Sequence, residues 1–141
     1  MASKRERILA ALKTTLAGTT GVGTRIYRSR AEPTTRAESP AIVVEWTNDQ
    51  PNIRGTTGHI DWTLRIRVVV IARGTIPDNL ADATIESLHT KLVNDPTVGG
   101  LALDIRPSTT TFEAIDADQP AGVIFCEYEI DYRTAYNNLS T

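Results

Sequence analysis

Apolar residues recur along this chain at two intervals, and the intervals separate helices from strands. Over residues 4–17, Ile8, Leu12 and Leu16 return every fourth position with Leu9 beside them, the stripe of an amphipathic helix. Ser3 stands where an N-cap belongs and Glu6 follows three residues later, the capping-box spacing. Gly18 and the Thr19-Thr20-Gly21 segment end that helix. A second helical stripe, Ala81, Ile85, Leu88 and Leu92, occupies residues 78–93, with Asp78 as the expected N-cap and Asn94-Asp95-Pro96 as the stop.

Elsewhere the period is two. Ile60, Trp62, Leu64, Ile66, Val68 and Val70 share one face of a strand over residues 60–73, and Asp61, Thr63, Arg65 and Arg67 share the other. This strand is far longer than the usual five or six residues, so it is expected to bend or to project as half of a two-stranded arm. Residues 123–134 repeat the pattern, with Ile124, Cys126, Tyr128, Ile130 and Tyr132 opposite Phe125, Glu127, Glu129, Asp131 and Arg133. Shorter strands are read over residues 25–30, 41–46, 101–106 and 109–115. The unbroken Ile42-Val43-Val44 run points to burial on both faces. Residues 31–40, 47–59 and 116–122 are polar, carry proline or glycine, and read as loops. Residues 135–141 read as a frayed tail.

The resulting order is helix, strands, helix, strands. It predicts a single domain over residues 1–141 of the α+β class, a mostly antiparallel or mixed β-sheet with two helices packed on one face. If the two long strands are antiparallel neighbours, Arg65 and Arg67 face Glu127, Glu129 and Asp131. Each such pair contributes roughly 0.2–1 kcal/mol. That face is either solvated or meets the next subunit, where its charges would set register more than affinity.

Composition narrows the function classes. With 15 basic and 17 acidic side chains the net charge is -2, without the cationic surplus that binding a phosphate backbone requires. One cationic cluster exists, Arg25, Arg28, Arg30 and Arg36 with Tyr27 interleaved. It suits a protein-facing or lumen-facing surface, a solvated loop, or, with a single ring for stacking, a nucleic-acid contact. The longest apolar run, residues 68–72, is far short of the roughly 20 residues that span a bilayer. Lys13 interrupts the apolar residues after the charged N-terminal run, so no signal-peptide core forms. The expected setting is the cytoplasm, or a particle assembled there.

Candidate chemistry is sparse. Cys126 is the only cysteine and lies in an apolar strand, where a buried, inert thiol is expected. His59 and His89 belong to no HExxH or Cys/His set. Asp78, Asp82 and Glu86 share one helical side, which solvation and the N-terminal helix dipole explain. Asp116 and Asp118 sit in a turn region. No GxxxxGKS/T or GxSxG occurs, and Gly18, Gly21 and Gly23 follow a helix rather than a strand. The sequence therefore nominates no catalytic, cofactor-binding or metal-binding residue, no cofactor, and no enzyme.

Several segments taken together resemble a known family. These are RILAAL at 7–12 leading to RIY at 25–27, ESPAIVV at 38–44, NDPTVGGLALDI at 94–105 and YEIDYRT at 128–134. They resemble the tail terminator, tail completion and minor tail proteins of long-tailed bacteriophages, over nearly the whole chain. The resemblance implies a virion protein of the tail or neck that forms a homohexameric ring. Such a ring caps the tail tube, ends its polymerisation and joins tail to head. The implied partners are further copies of the chain, the tail-tube protein and the head-tail connector, with no membrane and no sequence-specific nucleic acid. A head-completion or neck connector protein is the alternative, and a nucleic-acid-contacting adaptor a more distant one. The long strands would form the sheet that lines or crosses the ring, and the loops at 31–39 and 47–59 would order against neighbours.

Overall fold

A computed structural model describes residues 2–23, 25–28, 40–52, 58–74, 76–115 and 121–141. Its elements are α1 (Lys4–Leu16), β1 (Ile26–Arg28), β2 (Ala41–Asn52), β3 (His59–Arg73), α2 (Pro77–Val93), β4 (Asp104–Ile115) and β5 (Ala121–Ala135). The strands make one sheet in the order β1-β2-β3-β5-β4. β1 runs parallel to β2 and every other pairing is antiparallel. This is the α+β architecture with a mixed sheet that the periodicities predict.

The two helices cover one face of the sheet. Ile8, Leu9, Leu12 and Leu16 of α1 and Ala81, Leu88 and Leu92 of α2 join a single core. From the sheet that core takes Ile42, Val44, Leu64, Ile66, Val68, Val70, Ile124, Cys126, Tyr128 and Ile130. Full burial of one aliphatic side chain stabilises by about 1.5–3 kcal/mol, so this face outweighs any surface ion pair in setting the fold. Val43, Val69 and Val123 form a smaller cluster on the opposite face with Tyr27, Ile71 and Phe125 beside them, which is the two-sided burial expected of residues 42–44.

Local signals account for most helix ends. The Ser3 hydroxyl accepts a hydrogen bond from the Glu6 amide at 3.2 Å, the N-cap arrangement the spacing predicts. Gly18 takes φ +81° after the last turn of α1, a conformation that favours glycine. In α2 the cap is Ile76 rather than Asp78, because Pro77 occupies the first helical position. Its missing N–H and fixed φ cost nothing there, and Asp78 falls into the first turn.

Three strand readings are corrected. Residues 47–52 of the expected loop 47–59 continue β2, with Asn48, Asp49, Gln50, Pro51 and Asn52 paired to β3 across a bulge at Trp46/Asn48. Polar residues and Pro51 are tolerated because, among the described residues, β1 covers β2 only as far as Val44 and this stretch has no outer neighbour. The two strands read over 101–106 and 109–115 are one edge strand, β4, with a bulge at Pro107/Thr109, and residues 101–103 precede it. β3 is no projecting two-stranded arm, since β2 and β5 flank it along almost its whole length.

The C-terminal residues are also tied down rather than frayed. The Lys4 amide, an orphan donor of the first helical turn, bonds the Leu139 carbonyl at 2.8 Å, and Arg7 donates to the Ser140 carbonyl. The loop read over residues 31–39, the turn residues 116–120 and residues 53–57 lie outside the described residues.

Gly122 of β5 sits where α2 approaches the sheet. A Cβ there would lie 2.7 Å from Pro77 Cβ and 2.8 Å from Phe112 Cε2. Gly122→Ala is therefore expected to destabilise the protein by about 1–3 kcal/mol through overpacking, read as a lower midpoint in urea denaturation.

Candidate assembly surface

The sheet face turned away from the helices carries the charged side chains of β2, β3, β5 and β4 in opposed rows. Register places Arg67 between Glu45 and Glu127, and Arg65 opposite Glu129. Arg67 lies 3.5 Å from Glu45 and 3.6 Å from Glu127, and Arg65 lies 3.6 Å from Glu129. The cross-strand pairing expected between 60–73 and 123–134 is thus present. Arg106 of β4 extends it, reaching Asp131 at 2.6 Å and Glu129 at 2.8 Å. Hydrogen bonding to Asp131 first, and the neighbouring carboxylates after it, hold the Arg106 pKa above its ordinary value. Asp104 and Asp131 are direct cross-strand neighbours, and Arg106 lies between these like charges. At the far end Arg133 pairs with Asp61 at 2.6 Å.

These groups are partly exposed, so each pair is worth at most about 1 kcal/mol. Their effect is on register. A one-residue slip of β3 against β5 would turn the charges into the core and the aliphatics into water. Arg67 also lies over the Phe125 ring at 5.0 Å, joining the ionic rows to the small apolar cluster.

The other end of the sheet is held by a network that no sequence motif announces. Asp49 of β2 is on the helix side, with its side chain only 4% exposed, 3.3 Å from Arg5 of α1. It accepts a hydrogen bond from the Tyr132 hydroxyl at 2.5 Å. Tyr132 stacks on Trp62 at 6.2 Å, and the Trp62 indole donates to Thr134 Oγ1 at 2.9 Å. Arg5 also covers the Trp46 ring at 4.5 Å. Burial pushes the Asp49 carboxyl above the usual carboxylate value, and the bonds from Tyr132 and Arg5 pull against that shift.

Among the described residues, the side chains considered for chemistry are not brought together. Burial pushes the Cys126 thiol up to about 11, so it stays protonated in the core. His89 Nδ1 is 2.9 Å from the Tyr128 hydroxyl, whose own pKa burial pushes up to about 12, while His59 is exposed at the start of β3. Asp78, Asp82 and Glu86 are exposed on α2, and Asp116 and Asp118 lie outside the described residues. Among the described residues no group of three His, Cys, Asp or Glu side chains is placed to hold a metal ion. The groove lined by Thr20, Ala83, Glu86, Ser87, Thr90 and Lys91 is shallow.

Of the basic cluster, Arg25 and Arg28 lie within the described residues. Arg25 donates to the Pro40 and Gly21 carbonyls at 3.0 and 2.6 Å. Arg28 makes a two-pronged bond to Glu6 at 2.6 and 3.0 Å, which holds β1 to α1 and lowers the Glu6 pKa. Arg30 and Arg36 lie outside the described residues.

A five-stranded mixed sheet with two helices on one face and paired charges on the other defines the class of fold. No family model and no curated protein matches the chain. Among solved structures, a chain from the virion of a native gene transfer agent particle shares this fold, with a TM-score of 0.65. The match covers 89% of this chain and 94% of that one at 12% identity.

Asp49 provides a test of the network. Its folded pKa lies above the unfolded value, so between those two values the folded state binds more protons and stability falls as pH rises. Relative to Asp49→Asn, the wild type is expected to gain stability as pH is lowered from 7 towards 4, measured by urea denaturation. Asp49→Ala, which strips a partner from both Tyr132 and Arg5, is expected to cost about 1–3 kcal/mol at pH 7.

Proposed function

We propose that this chain is a structural subunit of a phage-like virion, and within it the tail terminator: a ring that caps the tail tube, stops tube growth and joins tail to head. The observation that carries the reading is the fold shared, over nearly the full length of both chains, with a subunit of a gene transfer agent virion. The family resemblance of segments 38–44, 94–105 and 128–134 supports the terminator role. The structure suits a repeating subunit in a plain physical sense. One face of the sheet is dry and helix-covered, while the other carries paired charges beside a small apolar cluster, and the edge strand β4 has no outer partner among the described residues. In this reading the protein turns over no substrate, binds no cofactor, and works by presenting surfaces. Its partners are other copies of itself, the tail-tube protein and the head-tail connector.

Closed rings need a heterologous contact, one surface of a subunit meeting a different surface of the next. Light scattering over a concentration series, with electron microscopy of the same samples, tests this directly. The expected result is a six-fold ring with a central channel, favoured at high concentration or on a tube end. A strict monomer even in the presence of tail tubes would overturn the ring. Mixed with isolated tail tubes and with portal-filled heads, the protein is expected to bind the tube ends and halt their elongation. Binding to filled heads alone would assign it to the neck instead.

A further inference from the structure

The ring reading leaves open which surfaces meet, and the charge and edge structure of the sheet point to one pair. β4 is an outer strand, and residues 109–114 are exposed without exception. Sheet edges are normally guarded by proline, bulges or charge. Here those devices are confined to the first half of β4, in Arg106, Pro107 and the bulge at Pro107/Thr109. From Thr109 to Ala114 the edge reads Thr-Thr-Thr-Phe-Glu-Ala, with Glu113 its single charge. The opposite side of the sheet is guarded differently. Among the described residues β1 is three residues long, and the stretch of β2 beyond it carries a bulge and Pro51.

The open half of β4 also carries an exposed aromatic ring. Phe112 is 48% exposed. Gly122 brings it against Pro77 at the start of α2. A strand edge with no outer partner among the described residues and an exposed apolar ring thus share one rim.

Charge identifies what covers it. On α2 Asp78 and Asp82 share the stripe of His89, which bonds Tyr128 of β5, and Glu113 lies on β4. None of these three carboxylates is in an ion pair within the described residues, and all three are exposed. The opposite rim is cationic. α1 carries Lys4, Arg5, Arg7 and Lys13 against Glu6, and Arg25 is bonded only to carbonyls. Glu6 reaches Arg28 of β1, so this stripe of α1 borders the β1 edge. Ala10 and Lys13 follow Glu6 on the same stripe and are exposed. The small Ala10 permits close approach, and Lys13 supplies an unpaired cation.

We infer that copies of this chain dock head to tail, the β4–α2 rim of one (Phe112, Asp82, Glu113) against the α1–β1 rim of the next (Ala10, Lys13, Arg25). Strand direction is compatible. β1, β2 and β5 run one way and β3 and β4 the other, so β4 meets the next copy's β1 antiparallel. A two-fold β4–β4 contact would instead bring Glu113 and the α2 carboxylates against their own copies, which like charge opposes. The inference rests on the ring reading and specifies its contact.

Two variants with opposite lesions test it. Phe112→Lys blocks the β4 rim, with Glu113→Lys as a second lesion on the same rim, and Ala10→Glu/Lys13→Glu blocks the α1 rim. All these positions are exposed, so circular dichroism and thermal midpoints are expected to match the wild type. In light scattering each variant alone is expected to assemble at a concentration at least about tenfold higher than the wild type. An equimolar mixture of a β4-rim variant with the α1-rim variant is expected to form heterodimers, because together they retain one intact contact. Raising the salt concentration should weaken wild-type assembly as charge is screened. Variants that assemble like the wild type, or a mixture that stays monomeric while wild-type rings form, would overturn the docking mode and leave the ring reading standing. A wild type that never assembles, with or without tail tubes, would remove both.

Discussion

β3 is hydrogen-bonded on both sides, to β2 through residues 61–71 and to β5 through residues 59–73. The rest of the molecule is arranged around that strand. Its even-numbered side chains turn towards the helices and its odd-numbered ones away from them, and both neighbours inherit the same division through register. Because side chains alternate with a period of two, no part of this arrangement can shift by one residue without exchanging aliphatics for charges. Burial of Leu64, Ile66, Val68 and Val70 beneath the helices supplies the energy. Arginine and carboxylate side chains on the other face supply the discrimination between registers.

The two faces therefore play different physical parts. The helix face holds the core, where burial keeps the Cys126 thiol neutral. The open face and the rims hold the surfaces available to neighbours. Pairing within the sheet neutralises most of the open-face charge, as with Arg67 between Glu45 and Glu127. Among the described residues, Lys13 and Arg25 remain without a carboxylate partner on the α1 side, and Asp78 and Asp82 without a cation on α2. A subunit built this way carries a difference between its two rims, which a head-to-tail contact can use and a two-fold contact cannot.

Most of the fold was legible in period and punctuation. Ser3 and Glu6 mark the start of α1, the alternation in residues 60–73 and 123–134 marks the two central strands, and the Ile42-Val43-Val44 run marks burial on both faces. The misreadings share one cause. Asn48 to Asn52 look like a loop because their composition is polar, yet β3 offers them backbone partners whatever their side chains. Pro107 looks like a strand end, yet an edge strand can lose an outward donor and continue past a bulge. The C-terminal residues look frayed because nothing local holds them, while the orphan donors of α1 and the Arg7 side chain do. The Asp49 network lay beyond reach for a similar reason. Its members are distant in sequence, and Asp49 reads as an ordinary loop residue until the bulge turns it towards Tyr132 and Arg5.

The sequence by itself determined which residues are helical, which alternate, which face of each strand is apolar, and that opposite charges would oppose one another if the two long strands were neighbours. Those properties depend on a few consecutive side chains and on the geometry of a single element. Only the tertiary structure decided that β4 would have no outer partner among the described residues, with Phe112 exposed upon it. It likewise decided that Arg25 and Arg28 would serve the fold rather than form one cationic site, and that cationic and acidic rims would stand on opposite sides of the sheet. Strand order and helix placement set those outcomes, and they depend on contacts between segments far apart in the chain, which local pattern does not encode.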